Sequence, residues 1–395
     1  MKFLLLLLPV VALVATLFYI DQHYKGIDKT LVPVYELENH QISSDLEMQV
    51  VDPETGKLKV QGWAVYPNKL SYQPSLSKTY WPILSRDKQW NYFYVRNKNY
   101  LVTMAHANVG VVKSSYINVL KIGGDYDVTE TLIEDYFGNY VFIDVNKNGN
   151  GIYSVVEHPD LTMKFIKPEG DTEVQINVNS KTDDHTISAN LVGVNWSEGI
   201  THVENQTIDG DYHSFNTKML VDFVGSVTLN GKNIMKCTSK NPCMGLHDNG
   251  RSVGKYTNVW VWGSLAFKVQ GGKRGQTKKI GLNLSGSEAT QNASGDAIWI
   301  DDKIYKLDSI VVDKVNDTTW TLKSYVSKGQ KYPKNKIDLT FKVDAKHTIS
   351  KNFIIIDIDF NSNFGIMSGT IESEDGQKIE FKDEFAFVEE MFSRW

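Results

Sequence analysis

Cysteine is nearly absent from this 395-residue sequence, which has only Cys237 and Cys243. Two thiols fall short of a structural zinc site, and adding His247 gives only three of the four ligands. Runs of Lys/Arg are missing too. The formal net charge is −5 with 23% charged residues, which excludes the basic footprint of a nucleic-acid binder. There is no His-Glu-x-x-His, no Gly-x-Ser-x-Gly, no phosphate loop and no dinucleotide fingerprint. The histidines His106, His158, His185, His202, His213 and His247 are scattered, so no catalytic group can be named and no cofactor or metal is expected. Asp144-Val-Asn-Lys-Asn-Gly-Asn-Gly151 begins like a calcium loop, but Val155 stands where the bidentate Glu belongs, so it reads as a hairpin turn. No repeat of 20–50 residues recurs. Long helical periods are also lacking, and one short helix is expected, over 384–395.

What the sequence does have is aromatic and β-branched residues in short runs. Hydrophobic residues make up 41%, with 9 Trp, 19 Tyr and 17 Phe, a composition that favours sheet. Trp90-Asn-Tyr-Phe-Tyr-Val95 and residues 100–105 read as a hairpin. Alternation marks 174–179 and 187–193 and is clearest at 219–229, which runs into the turn pair Asn230-Gly231. Segments 365–373 and 378–382 flank another turn, Glu374-Asp-Gly-Gln377. Many strands at short spacing mean a sandwich or barrel, and the length is too great for one barrel. The expected class is all-β: a first barrel over 59–210 and a second over 211–395, divided at Asp209-Gly-Asp211. A polar lead-in spans 26–58.

Residues 3–20 carry no charge. As a helix rising ~1.5 Å per residue they would nearly span a bilayer core. Small residues are poorly placed for signal cleavage, so an uncleaved anchor within 1–25 is favoured over a secreted form. Lys2 before the run then puts the body in the lumen or outside the cell, with the membrane as a partner. Asn195, Asn205, Asn283, Asn292 and Asn316 are glycosylation acceptors by motif. In an oxidising compartment Cys237 and Cys243, on either side of Asn241-Pro242, are expected to form a disulfide.

The most informative stretch is 237–307. It contains Asp248-Asn-Gly-Arg251, then Tyr256-Thr-Asn-Val-Trp-Val-Trp-Gly-Ser264, Gly281-Leu-Asn-Leu284, Thr290-Gln-Asn292 and Lys306-Leu307. Gly62-Trp-Ala-Val-Tyr-Pro67, Lys88-Gln-Trp-Asn-Tyr-Phe-Tyr94 and the ending Glu389-Glu390 … Arg394-Trp395 complete an ordered set. From about residue 35 onward the chain resembles the family called domain of unknown function 2804. Ser252 and Gln291 depart from that family's usual Gly and Glu. The family is similar to two-barrel, lipocalin-like proteins that include carotenoid hydratases, which implies two lipocalin-like β-barrels here.

Asp248, Arg251, Trp260, Trp262, Asn283 and Gln291 are the candidate ligand-binding residues. Trp260 and Trp262 share a strand face and are expected to point into the second barrel, with Arg251 and Asp248 at its mouth or floor. Gln291 cannot titrate, so it is no acid or base. The leading expectation is a membrane-tethered barrel protein that binds an apolar or amphipathic small molecule, such as a lipid or isoprenoid. The alternatives are an enzyme of the carotenoid-hydratase type and a structural domain without a ligand.

Overall fold

The computed structural model describes residues 40–394, except 75–85, 111, 124–125, 137–139, 146–150, 169, 207–211, 256, 271–276, 288–293, 326–332 and 353–356. The apolar run 3–20, Gln291 and Asn292 therefore lie outside the described residues. Among those described, no helix is long and apolar enough to cross a membrane.

Every long element is a strand, and the strands form two large antiparallel sheets plus one short parallel pair. The first sheet has 14 strands, running from Gly62–Tyr66 to Cys243–Val253. It curls so that alternate residues of nearly all its strands meet in one core, which includes Phe93, Met104, Ile117, Phe165, Ile176 and Phe223. The second has 9 strands, from Thr257–Gln270 to Lys378–Arg394. It wraps its own core, which includes Leu265, Leu282, Trp320, Leu339 and Phe341.

Several expectations from the sequence hold. Asp87–Arg96 pairs antiparallel with Tyr100–Asn108. Val174–Lys181 alternates buried and exposed along its whole length, the mark of a strand with one wet face. Asn230 and Gly231 both take positive φ, 50° and 75°, as a tight right-twisted hairpin turn requires. Cys237 and Cys243 are bonded, with Cα atoms 5.2 Å apart.

Others need correction. The expected C-terminal helix is the strand Lys378–Arg394. Its residues alternate between the second core (Ala386, Val388) and the opposite face (Phe385, Phe387), and a two-residue period outweighs helix propensity there. The expected division at 210/211 falls between Gly199–Asn205 and His213–Leu229, which are hydrogen-bonded neighbours in one sheet. The change of sheet comes after Val253. The described part of the polar lead-in, from residue 40, is ordered: Ile42, Val50 and Val51 pack with Tyr72 and Val203 as a cap on the first sheet.

The two sheets pack against each other through a third apolar cluster. Tyr94, Leu220 and Leu246 come from the first sheet; Trp262, Trp299 and Phe387 come from the second. The approach is close enough that a Cβ on Gly281 would lie 2.5 Å from Leu220 Cδ1.

Candidate functional site between the two sheets

Register builds the site. In the first sheet, Lys218, Asp248, Tyr92, Ala105 and Tyr116 stand opposite one another in turn across five adjacent strands. In the second, Trp262, Glu389, Ser362 and His347 do the same across four. Side chains alternate along each strand, so each row projects on the face turned away from its own barrel core. The two rows meet across a cavity of about 520 Å³ between the sheets, within the ~300–1,000 Å³ usual for small-molecule pockets.

Asp248 anchors one end. Its Oδ2 accepts from Lys218 Nζ at 2.5 Å, and its Oδ1 accepts from Trp90 Nε1 and Asn216 Nδ2, each at 3.0 Å. Gly250 makes the Trp90 contact feasible, because a Cβ there would sit 2.1 Å from the indole ring. Lys218 Nζ also lies 4.5 Å from the Trp262 ring centroid, a favourable cation–π arrangement in a desolvated place. Trp262 meets Tyr92 and Phe387 edge-on, both at 5.2 Å between centroids.

Glu389 faces this group from the second sheet. Burial pushes its carboxyl up to about 8, with the Asp248 charge adding and Lys218 and a Ser362 hydrogen bond opposing. At neutral pH it is mainly the protonated acid. The Tyr92 and Tyr116 hydroxyls are raised well above the ordinary value, chiefly by burial. Further along, burial holds His202 down at about 3, helped by the Lys218 charge. Burial lifts Glu204 to about 7 against a hydrogen bond from Ser214 Oγ and lowers Lys88 to about 7, with Arg86 adding.

One side of the cavity lies against the apolar inter-sheet cluster. The other is bridged by three side-chain pairs between Val128–Asp135, with its preceding turn, and Lys336–Asn352. They are Tyr126 Oη to Asp344 at 2.7 Å, Glu130 to His347 at 3.8 Å, and Glu134 to Lys351.

Of the residues singled out from sequence, Asp248, Trp260 and Trp262 line the cavity. The two tryptophans do share a face, but it is the outer one: Val261 and Leu265 enter the second core, while Trp262 joins the inter-sheet cluster. Arg251 lies elsewhere. It makes a two-point contact with Asp87, Nε to Oδ1 and Nη2 to Oδ2, each at 2.8 Å, so the cation beside Asp248 is Lys218.

Asn283 stands behind the site. Its Oδ1 accepts from Trp262 Nε1 at 2.8 Å and its Nδ2 donates to Gly295 O at 2.7 Å. It is fully buried, which leaves no space for a glycan on the folded chain. Asn195 and Asn316 are exposed and Asn205 is half-buried. Lys218, Glu389, Tyr92 and Tyr116 were not singled out by the sequence. The aromatic run at 90–95 and the Glu389-Glu390 pair were the available signals, and only register connects them.

Residues 40–395 match the family model described as domain of unknown function (DUF2804). The chain belongs to this family. No curated protein matches the chain in sequence. Similar solved structures include CghA, at TM-score 0.46 and 10% identity over 91% of this chain and 97% of that one. CghA with Sch210972 gives TM-score 0.43 and 10% identity, covering 78% and 88%. Kievitone hydratase from Nectria haematococca gives 0.37 and 9%, covering 78% and 88%. Likenesses at these TM-scores decide nothing about what a DUF2804 protein does.

Proposed function

We propose that this DUF2804 protein binds an apolar or amphipathic small molecule, of the lipid or isoprenoid kind, in the cavity between its two sheets. One observation carries the reading: a partly open space between the sheets whose accessible lining is mainly apolar, with Lys218, Asp248, Tyr92, Tyr116 and Glu389 at facing positions. That is the make-up of a small-molecule pocket. Recovery of one equivalent of an apolar compound from protein purified from its own host, lost on Ala105→Trp substitution, supports it. A wild-type extract holding no such compound, together with no uptake of added apolar probes, rejects it.

A second reading, an enzyme of the hydratase type, is favoured by Glu389. A carboxyl beside the cavity that stays protonated near neutrality is poised as a general acid. Glu389→Gln should then abolish turnover of a bound compound while leaving its affinity within about threefold. Loss of both together would point to a binding role.

Membrane attachment through residues 3–20, with the body on the lumenal or outer side, belongs to the same proposal. The bonded Cys237–Cys243 pair supports an oxidising address. Protease protection in sealed microsomes tests it, and digestion of the body without detergent would refute it.

A further inference from the structure

We infer that the ligand of the inter-sheet cavity is an uncharged molecule carrying an oxygen that accepts hydrogen bonds from Tyr92, Tyr116 and Glu389. This rests on the reading of the cavity as a small-molecule site and names the class of molecule it takes.

The first argument is the balance of charge. A ligand carboxylate or ammonium in a desolvated cavity costs several kcal/mol or more without an opposite charge free to meet it. Lys218, the cation at the centre, is already held by Asp248 at 2.5 Å and by the Trp262 face. At the rim, Glu134 is matched by Lys351, and Glu130 lies 3.8 Å from the His347 imidazole. The remaining titratable lining groups are pressed toward their uncharged forms by burial: His202 and Lys88 downward, Glu204 and Glu389 upward. At pH 7.5 no lining cation is both fully charged and uncommitted, so none is free to meet a ligand carboxylate, and Glu204, lifted to about 7, already accepts from Ser214 Oγ.

The second argument is the balance of donors. Tyr92 and Tyr116 flank the small Ala105 in one row, and both face the cavity. Neither hydroxyl has a hydrogen-bond partner among the described residues. Each keeps its proton, and so does Glu389 opposite. Polar groups that line a largely apolar cavity are normally satisfied by a partner or water, and two unpartnered hydroxyls with the Glu389 carboxyl opposite favour an acceptor between them. A carbonyl, hydroxyl or ether oxygen on an otherwise apolar skeleton meets that demand without adding charge.

The test uses three probes with one C15 skeleton: farnesene, farnesol and farnesoic acid. Binding to the whole protein at pH 7.5 is read by quenching of tryptophan fluorescence, since Trp90, Trp260 and Trp262 all line the cavity. Farnesol should bind about tenfold or more tighter than farnesoate, and several-fold tighter than farnesene. Tyr92→Phe and Tyr116→Phe, which keep the rings, should erase the advantage of farnesol over farnesene while leaving farnesene affinity unchanged. Farnesoate binding as tightly as farnesol would overturn the uncharged class. Equal binding of farnesene and farnesol would overturn the role of the donors, with the cavity still a binding site. Failure of all three probes would overturn this inference and the binding reading together.

Discussion

The core of the second sheet and the space between the sheets are lined by the same strands, yet they are different kinds of interior. Along Thr257–Gln270, Val261, Leu265 and Phe267 enter a core of aliphatic and aromatic side chains. Trp260, Trp262 and Ser264, one step out of phase, turn toward Tyr94, Lys218 and Asp248. Both faces are largely dry. The difference is that the outer face retains ionisable groups, which are costly to bury. Burial alone therefore does not separate scaffold from site; the presence of buried groups that packing does not need does.

The comparison can be broken most severely at Lys218. Lys218→Met removes the cation and leaves Asp248 buried with only neutral donors, an expected loss of about 3–5 kcal/mol in urea unfolding. A loss below about 1 kcal/mol would mean that water already reaches Asp248 freely. The same scale sharpens the contrast between the two faces. Leu282→Ala, in the second core and fully buried, should cost about 2–5 kcal/mol. Trp260→Ala, half-buried against the cavity, should cost about 1 kcal/mol despite deleting a larger side chain, and should weaken apolar-probe binding. Equal losses at the two positions would make the outer face ordinary core.

Glu389→Gln tests the titration. The folded carboxyl is raised to about 8, above its unfolded value, so the folded state holds a proton that the unfolded state releases. The parent then loses stability as pH rises from the unfolded pKa toward 8, and the neutral amide does not. The variant should match the parent near pH 4 and exceed it by on the order of a few kcal/mol at pH 9. Parallel stability–pH curves for the two would show that Glu389 is ionised in the fold. A modest effect is expected far from this site: joint Cys237→Ser and Cys243→Ser should cost about 2 kcal/mol or less, since so short a loop constrains few unfolded states.

Much of the architecture was legible because strands advertise themselves by period. The hairpin at 90–105, the Asn230-Gly231 turn and the shared face of Trp260 and Trp262 all follow from local rules. What local rules miss is which of two faces points where. Large aromatics belong in cores, which points Trp260 and Trp262 to a barrel interior, but a second sheet offers Trp262 a buried place and Trp260 a half-buried one on the outside. Arg251 and Asp248 are three residues apart, so in one strand they point to opposite faces, and each finds its partner on a neighbouring strand. Lys218 precedes an apolar run and looks like a solvated strand end. Its burial depends on a partner 30 residues away, and no sequence window reports that pairing. The short helix expected over 384–395 is a strand, and in it Glu389, of the Glu389-Glu390 pair, is turned into the cavity.

The three pairs along the rim give the cavity an unusual kind of door. On that side, among the described residues, the two sheets are joined by side chains: Tyr126 to Asp344, Glu130 to His347 and Glu134 to Lys351. Partly exposed ion pairs are worth only ~0–1 kcal/mol each and weaken as salt screens them. Parting the sheets there asks no strand to give up its backbone ladder. An opening on that side would need only side-chain contacts to part, and the charged ones among them weaken as ionic strength rises.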